Sequence, residues 1–385
     1  MPTSTLCTNL RTSLETIRAL KTDFDAAYEA AISSGTPAEI QKAQDLKQAL
    51  ETRTRELQQE VNVLETERVY DLRAQYESQV TLLKRTGLIE TRIFIETGEE
   101  TEEFFMRDLH EHDYPVPSYE TIVEHLVERK EFLASKADQG FTKFLLVPFG
   151  MSLDQMIQRF RAFLLDYKKD HPEFGRHDPA KRDDSDKPDW DPIWVWEGYD
   201  NADVKGTLVY DPQSFDEEDH NGLTKTEILE RQKTDQDPMF GWRFLFLQAG
   251  RDGNGFKVIP RNGQGETQGE QVPRGDLEAG KSSKEYLADQ LRTSQDPTSP
   301  YYGESGMAPE EWMVMFMSYL QETGRPLDNY QNDTDSIVFL TGTYFIASGN
   351  VPYACWYRGI RQVDLGGNGP GDVSEYTSAR GAVRG

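Results

Sequence analysis

The chain has 385 residues, of which 42 are Lys or Arg and 67 are Asp or Glu, giving a formal net charge of −25. So large a negative charge repels phosphate backbones and anionic lipid surfaces, which argues against nucleic-acid binding and against membrane docking through basic segments. The two cysteines, Cys7 and Cys355, are too few for a disulfide scaffold or a four-thiolate zinc site. No apolar run reaches the roughly 20 residues that span a bilayer, so membrane insertion is not expected. No secretion signal is visible either, which predicts a cytoplasmic location, with display on a cell surface or a virion left open.

Residues 1–87 are predicted to form a helical coiled-coil hairpin. Apolar residues recur every three or four positions over 9–33, which is typical of one helix face. Thr36, Pro37 and Glu39 then provide a cap, a first-turn proline and a capping box for a second helix, which no further Gly or Pro interrupts. Its heptad-like apolar stripe must pack on the first helix, on another copy of the chain, or on both. A homo-oligomer through these helices is therefore one expectation.

The next two segments are predicted to connect this hairpin to a C-terminal domain. Residues 88–167 are expected to form an α-rich connector module, with helices that begin near Ser118 and near Leu153. Residues 168–189 are dense in charge, Asp and Pro, which is typical of a linker. The main domain boundary is therefore expected there.

Residues 190–385 are predicted to form an α+β domain. Short aromatic and β-branched runs indicate strands, with the clearest at 241–247. A helix is expected to begin at Pro309 and to end at Gly324. Strands with only a few helices among them define an α+β class.

One segment matches a nucleotide-binding motif. Residues 275–282 fit the pattern G-x-x-x-x-G-K-[ST], in which Lys281 would reach the outer phosphates and Ser282 would bind magnesium. The preceding residues are polar and include a proline where a buried strand is required, and Asp276 and Glu278 would bring negative charge to the phosphates. A nucleotide-binding enzyme using Gly275–Ser282 remains an alternative. No G-x-S-x-G or H-E-x-x-H motif occurs, and we expect no catalytic residue, cofactor or metal.

The C-terminal tail has an unusual composition. Residues 366–376 combine Gly, Asn, Ser and Tyr, which resembles the make-up of antibody binding loops. The alternative interpretation is a hairpin loop without a partner.

The order of motifs in the tail resembles the variable region of proteins diversified by diversity-generating retroelements. The resemblance rests on A-C-W-Y-R-G-I-R-Q-V-D-L at 354–365, P-G-D at 370–372 and S-A-R-G-A-V-R at 378–384. Further similarity lies at 139–150, 194–204 and 305–312. Such proteins, from phage and candidate-phyla bacteria, end in a C-type lectin fold like that of formylglycine-generating enzymes. The resemblance implies that 190–385 is such a domain, with a variable ligand-binding region at 354–384.

The resemblance also divides the tail into a frame and a display set. The frame consists of Trp356, Arg358, Arg361, Gln362, Leu365, Pro370, Ala379, Arg380, Ala382, Val383 and Arg384. The display set, which would contact the ligand, consists of Tyr357, Gly359, Ile360, Gly366, Gly367, Asn368, Gly371, Asp372, Val373, Ser374 and Glu375. The implied function is non-enzymatic binding of an unknown protein or surface ligand. This interpretation requires Tyr357 and Asp372 to lie outside the core.

Two further alternatives stay open. An enzyme of the formylglycine-generating type would share the fold, but its usual paired cysteines are absent, since Cys355 has no nearby partner in the sequence. The chain could also be a structural component of a particle or filament, held by the N-terminal hairpin.

Overall fold

A computed structural model gives the fold of residues 3–96, 99–108, 112–175, 190–250, 253–259, 275–330 and 335–385. The described chain is of the α+β class, with α-helices and several small sheets. It divides into two compact units, Met1–Asp71 with Ile122–Glu131, and Leu72–Thr121 with Phe132–Gly385. Within the described part of the chain, no helix is long and apolar enough to cross a membrane.

Helices α1 (Thr3–Ser34) and α2 (Pro37–Tyr70) pack against each other as a hairpin. The predicted helix start at Thr36 is confirmed, because its hydroxyl accepts a hydrogen bond from the backbone N–H of Glu39. Arg53 of α2 also donates a hydrogen bond to the hydroxyl of Ser13 on α1, at 2.5 Å.

The second helix ends earlier than the sequence predicts. Asp71 adopts a left-handed conformation with φ 46°, and α3 (Leu72–Arg85) begins directly after it. Asp is among the few non-glycine residues that adopt this conformation, so no Gly or Pro announces the break. In the second unit, Gln75 of α3 makes two hydrogen bonds to the backbone of β4 (Phe141–Val147).

The remaining helices are α4 (Tyr119–Glu128), α5 (Lys130–Ala137), α6 (Leu153–Asp170), α7 (Lys225–Thr234), α8 (Ser283–Ser294) and α9 (Pro309–Thr323). The strands before the charged segment are β1 (Glu90–Glu96), β2 (Glu99–Arg107), β3 (Asp113–Pro115) and β4. Those after it are β5 (Ile193–Val195), β6 (Leu208–Tyr210), β7 (Leu223–Thr224), β8 (Arg243–Gln248), β9 (Asn329–Tyr330), β10 (Ile337–Phe339), β11 (Thr343–Phe345), β12 (Val351–Tyr357), β13 (Gln362–Asn368), β14 (Thr377–Ala379) and β15 (Val383–Arg384).

In the described part of the chain, the strands form four sheets. Their orders are β1-β2-β3, β15-β8-β4, β11-β6-β7 and β14-β10-β12-β13-β5, with β9 also paired to β12. In the second sheet, β4 comes from the predicted connector 88–167, whereas β8 and β15 come from the predicted domain 190–385. Strands from both sides of the predicted linker 168–189 therefore share one sheet, and both sides belong to the same compact unit, which includes Phe132–Gly385. Residues 176–189 of that linker lie outside the described part of the chain.

Helix α9 lies at the centre of the second unit. The predicted start at Pro309 and end at Gly324 are confirmed, and Gly324 adopts φ 67° as a left-handed cap. Phe316 of α9 packs edge-on against Phe160 of α6, with ring centroids 5.4 Å apart. The helix also packs on β4 and β12. Strand β12 therefore rests on the core through α9.

Candidate functional site

The antiparallel hairpin β12–β13 has two distinct faces. Its register pairs Tyr357 with Gln362, Cys355 with Asp364 and Tyr353 with Gly366. Because successive residues of a strand point to opposite sides, these six residues share one face, which we call the outer face. The opposite side, which carries Trp356, Val363 and Leu365, is called the inner face.

The inner face belongs to the core. Trp356 is almost fully buried, and its ring lies 4.7 Å from Phe174 and 6.3 Å from Phe316 of α9. Val363 and Leu365 have no exposed surface. The frame residues Ala379, Ala382 and Val383 are also fully buried.

Arg380 anchors the chain after β14 through a buried ion pair. Its guanidinium donates a hydrogen bond to Asp328 Oδ1 at 2.8 Å and another to the backbone carbonyl of Lys257. Trp312 Nε1 donates to Asp328 Oδ2 at 2.9 Å, and the Trp356 backbone N–H donates to the Asp328 carbonyl at 3.0 Å. Burial raises the pKa of Asp328 from its ordinary value, and the Arg380 guanidinium opposes that shift. The hydrogen bonds of Asp328 with Arg380, Trp312 and Trp356 thus connect β12, α9 and the tail.

Arg384 fixes the last strand in the same way. Its guanidinium reaches both carboxylate oxygens of Glu311, at 3.1 and 3.2 Å, and it also pairs with Asp211. Burial alone would lower the pKa of Arg384, but the two carboxylates raise it above its ordinary value.

The other frame residues are less enclosed. Gln362 is half-buried and donates to the Asp191 carbonyl at 2.7 Å. The Pro370 carbonyl accepts a bond from the Lys284 N–H. Arg361 is half-buried, whereas Arg358 is exposed.

The display residues fall into three groups, of which the first is the β12–β13 turn. Tyr357 and Gly359 are half-buried, and Ile360 is 46% exposed. The Tyr357 ring lies 5.3 Å from that of Tyr330, which in turn lies 5.7 Å from that of Tyr376. Three tyrosines therefore cluster beside the turn.

The second group is the loop after β13. Gly371, Asp372, Val373 and Glu375 are exposed, and Ser374 is half-buried. The Asp372 carboxylate accepts a hydrogen bond from the Gly369 N–H at 3.0 Å, so it also shapes the loop.

The third group consists of Gly366, Gly367 and Asn368 at the end of β13. It does not form the contact surface that the sequence predicts. Gly366 is buried, and a Cβ there would lie 2.1 Å from the Tyr353 ring. A Cβ at Gly367 would lie 2.7 Å from the Trp196 ring. Only Asn368 of this group carries a half-buried side chain. The two glycines thus make room for aromatic rings that pack on the strand.

The structure does not bring all three groups into one patch. At about 3.3 Å per residue, the turn group and the end of β13 are roughly 17 Å apart along the strand. The loop, however, ends at Tyr376, which belongs to the tyrosine cluster beside Tyr357. The turn and the end of the loop therefore form one candidate surface.

Sequence reasoning missed an aromatic and acidic group on the outer face. Asp364 lies beside Trp194 of β5 in the strand register, and the Tyr353 hydroxyl donates a hydrogen bond to its carboxylate. Trp194 is 47% exposed, whereas Asp364 Oδ1 is buried and has no hydrogen-bond partner in the described part of the chain. Burial raises the pKa of Asp364 to about 6, against the effect of Tyr353. The alternation of residues along β13 could have placed Asp364 on this face.

Gly366→Ala is expected to lower the free energy of unfolding by about 1–3 kcal/mol, because the new methyl group must displace the Tyr353 ring. Gly371→Ala is the matched control, since a Cβ there meets nothing within 4 Å, and its effect should stay within about 0.5 kcal/mol. Urea denaturation of both variants measures the difference. Equal effects would mean that Gly366 is as replaceable as an exposed residue.

The residues of the nucleotide-binding motif are engaged in internal contacts. Lys281 Nζ lies 2.8 Å from Asp289 Oδ2 and donates to the Asp276 carbonyl at 3.0 Å. Ser282 caps α8, and its hydroxyl donates to Glu285 Oε2 at 2.8 Å. Residues 260–274, where the preceding strand would lie, are outside the described part of the chain.

The environment of Cys355 and the placement of the metal-ligating residue types both bear on whether the described residues support catalysis. Burial raises the pKa of the Cys355 thiol well above its ordinary value, which disfavours a thiolate nucleophile. Among the residues that the structure describes, no three or more His, Cys, Asp or Glu side chains are grouped to hold a metal ion.

No protein-family model, curated protein or solved structure matches the chain.

Proposed function

We propose that the chain is a non-enzymatic ligand-binding protein that displays variable residues on a C-type-lectin-like scaffold formed by residues 190–385. The observation that carries the proposal is the contrast between buried and exposed residues of the tail. Trp356 and Arg380 are buried, whereas Asp372 and Val373 are exposed. Replacements of exposed residues away from core features usually change stability by under about 0.5 kcal/mol. Such a tail tolerates variation in its exposed display residues while its frame stays fixed.

The tyrosine cluster supports recognition of a protein or other surface ligand. Tyr330, Tyr357 and Tyr376 are half-buried and contact one another through Tyr330. Tyrosine offers a large amphipathic contact area at low entropic cost, which is why binding loops are rich in it. Ile360 adds an exposed apolar side chain at the adjacent turn. The helical pair α1–α2 would present several such surfaces together if it joins copies of the chain.

The first test of diversification is genomic. We expect the DNA that flanks the gene to hold a reverse-transcriptase gene and a near-copy of the codons for residues 354–384. The near-copy should differ mainly at adenines and mainly in display codons. Flanking DNA with neither element would contradict diversification of this tail.

The second test compares two libraries on the yeast surface. One library randomises the exposed display residues Ile360, Asp372, Val373 and Glu375, and the other randomises the buried frame residues Trp356, Leu365, Ala379 and Arg380. We expect the display library to keep wild-type expression levels and to yield binders against unrelated proteins, while the frame library loses expression. Equal loss of expression in both libraries, or a display library without binders, would overturn the proposal.

A further inference from the structure

The hairpin of α1 and α2 leaves large apolar side chains open to solvent. Leu14, Tyr28 and Ile32 of α1 are 45%, 53% and 68% exposed, and Ile40 of α2 is 43% exposed. The apolar stripe between the two helices also contains half-buried residues, namely Ile17, Leu20, Phe24, Leu46, Leu50 and Leu57. An apolar helix face is stable when another element covers it, and each helix of a pair covers the other from one side only. The hairpin therefore presents apolar surface to a further partner.

All four exposed apolar residues lie on the same side of the hairpin. Leu14 and Tyr28 each directly follow a buried residue of α1, and Ile32 and Ile40 each directly follow a half-buried one. One residue turns an α-helix by about 100°, so each of the four stands beside the packed stripe in the same rotational sense. Because the two helices of a hairpin run in opposite directions, this common sense of rotation brings the residues of both helices to one side.

The same side carries two ion pairs. Lys21, Asp25 and Lys47 each stand seven residues, or nearly two turns, from one of the exposed apolar residues. Lys21 Nζ lies 2.7 Å from Asp25 Oδ2, and Lys47 Nζ lies 3.7 Å from Glu51 Oε1. The four charges cancel, and all four side chains are more than half exposed. The hairpin face, as we call this side, consists of Leu14, Lys21, Asp25, Tyr28, Ile32, Ile40, Lys47 and Glu51.

The numbering of the hairpin fixes which residues lie level with each other. Helix α1 ends at Ser34 and α2 begins at Pro37, so residues whose numbers add up to about 71 lie at the same height. Two hairpins that pack face to face with their turns at the same end are related by a two-fold axis along the helices. This axis places α1 of each copy on α2 of the other.

The hairpin face is self-complementary in this arrangement. Three pairs of residues oppose each other between the copies, and the numbers in each pair add up to 72: Ile32 with Ile40, Asp25 with Lys47, and Lys21 with Glu51. One pair is apolar, and the other two join opposite charges. With the turns at opposite ends these pairs do not form. Charge complementarity of this kind selects a partner and its orientation.

The hairpin face is also large enough for a stable dimer. Helix α1 has 32 residues. At 1.5 Å per residue it is about 48 Å long, and two helices side by side are roughly 20 Å wide. A face of these dimensions has an area of about 950 Å², and each partner contributes about 800 Å² to an interface of standard size.

We propose that two copies of the chain pack through the hairpin face, with their turns at the same end, and form a four-helix bundle. The second copy covers the exposed apolar side chains near the turn, and the charged residues pair between the copies. This inference goes beyond the proposed function, because α1 and α2 carry no display residue.

Sedimentation equilibrium of the full chain tests the proposal, and we expect a mass twice the 44.0 kDa of one chain. In the variant Ile32→Glu with Ile40→Glu, carboxylates replace the opposed apolar side chains, so we expect the mass of one chain. The matched control is Ala26→Glu with Ala49→Glu, which adds the same charge at exposed positions outside the hairpin face and should leave the dimer intact.

Circular dichroism of both variants verifies that the helices are retained. A single-chain mass for the unmodified protein at concentrations up to roughly 0.1 mM would overturn the proposal. Equal loss of the dimer in the two variants would overturn it as well, because the contact would then not be specific to the hairpin face.

The two charge pairs allow a test of the orientation. Asp25→Lys and Lys47→Glu each place like charges at opposed positions, so each variant alone should dimerise about tenfold more weakly. When the two variants are mixed in equal amounts, opposite charges face each other again at both positions. The mixed dimer should therefore regain the affinity of the unmodified chain.

A mixture that associates no more tightly than either variant alone would overturn the arrangement. A defect within one hairpin, such as the loss of its own Lys21–Asp25 or Lys47–Glu51 pair, is not repaired by adding a second chain. The display libraries leave α1 and α2 unchanged, so their outcome and that of the sedimentation experiments are independent.

Discussion

Replacing Arg380 by Met is expected to lower the free energy of unfolding by about 3–5 kcal/mol. The guanidinium lies 2.8 Å from Asp328 Oδ1, and both side chains are buried. Without Arg380 the carboxylate of Asp328 stays in the core with no compensating charge. Urea denaturation followed by circular dichroism measures the loss.

Two comparisons make this test specific. Arg358→Met removes an arginine from the same tail at an exposed position, and should change stability by under about 0.5 kcal/mol. In Arg380→Met with Asp328→Asn, the buried charge is gone from both sides, so the double variant should be more stable than the sum of the two single losses predicts. If Arg380→Met lowers the free energy of unfolding no more than Arg358→Met does, Arg380 is not part of a rigid frame.

The parts of the fold that sequence reasoning predicts are those with local signals. Thr36 begins a helix through its own hydroxyl, and Pro309 and Gly324 bound α9 through their backbone preferences. The pairing of β4 with β8 joins segments about a hundred residues apart, and composition carries no information on such a partner. The break at Asp71 is local, but an Asp in the left-handed conformation looks like any other helix residue in the sequence.

The residues of the candidate site likewise divide into those that the sequence predicts and those whose surroundings depend on strand pairing. The resemblance to diversified proteins predicts a division of the tail into frame and display residues, and in the structure Asp372 and Val373 are exposed. It does not foresee that Gly366 is buried against Tyr353, because the cross-strand neighbour is set by the register of the hairpin. The same register places Asp364 beside Trp194 on the outer face.

Asp364→Asn is expected to stabilise the protein near pH 7 and to lose that advantage in acid. Burial raises the folded-state pKa of Asp364 to about 6, from an ordinary value of 3.8. The protonated acid therefore favours folding below about pH 4, and this stability is lost as the pH rises to about 6 and the carboxylate ionises. A shift of roughly two pKa units corresponds to about 3 kcal/mol, which the partial exposure of Asp364 reduces to about 1–2 kcal/mol.

The measurement is the free energy of unfolding of both proteins at pH 4 and pH 7. Taking the difference between the two pH values cancels any constant cost of burying the amide, so only the ionisation of Asp364 remains. Asp235→Asn, at an exposed position after α7, should show no such difference. A change with pH that is the same for both variants would mean that Asp364 is not held in a buried environment. If the difference is specific to Asp364, the outer face carries a carboxylate whose ionisation costs stability, and a cationic group of a ligand bound beside Trp194 would relieve that cost.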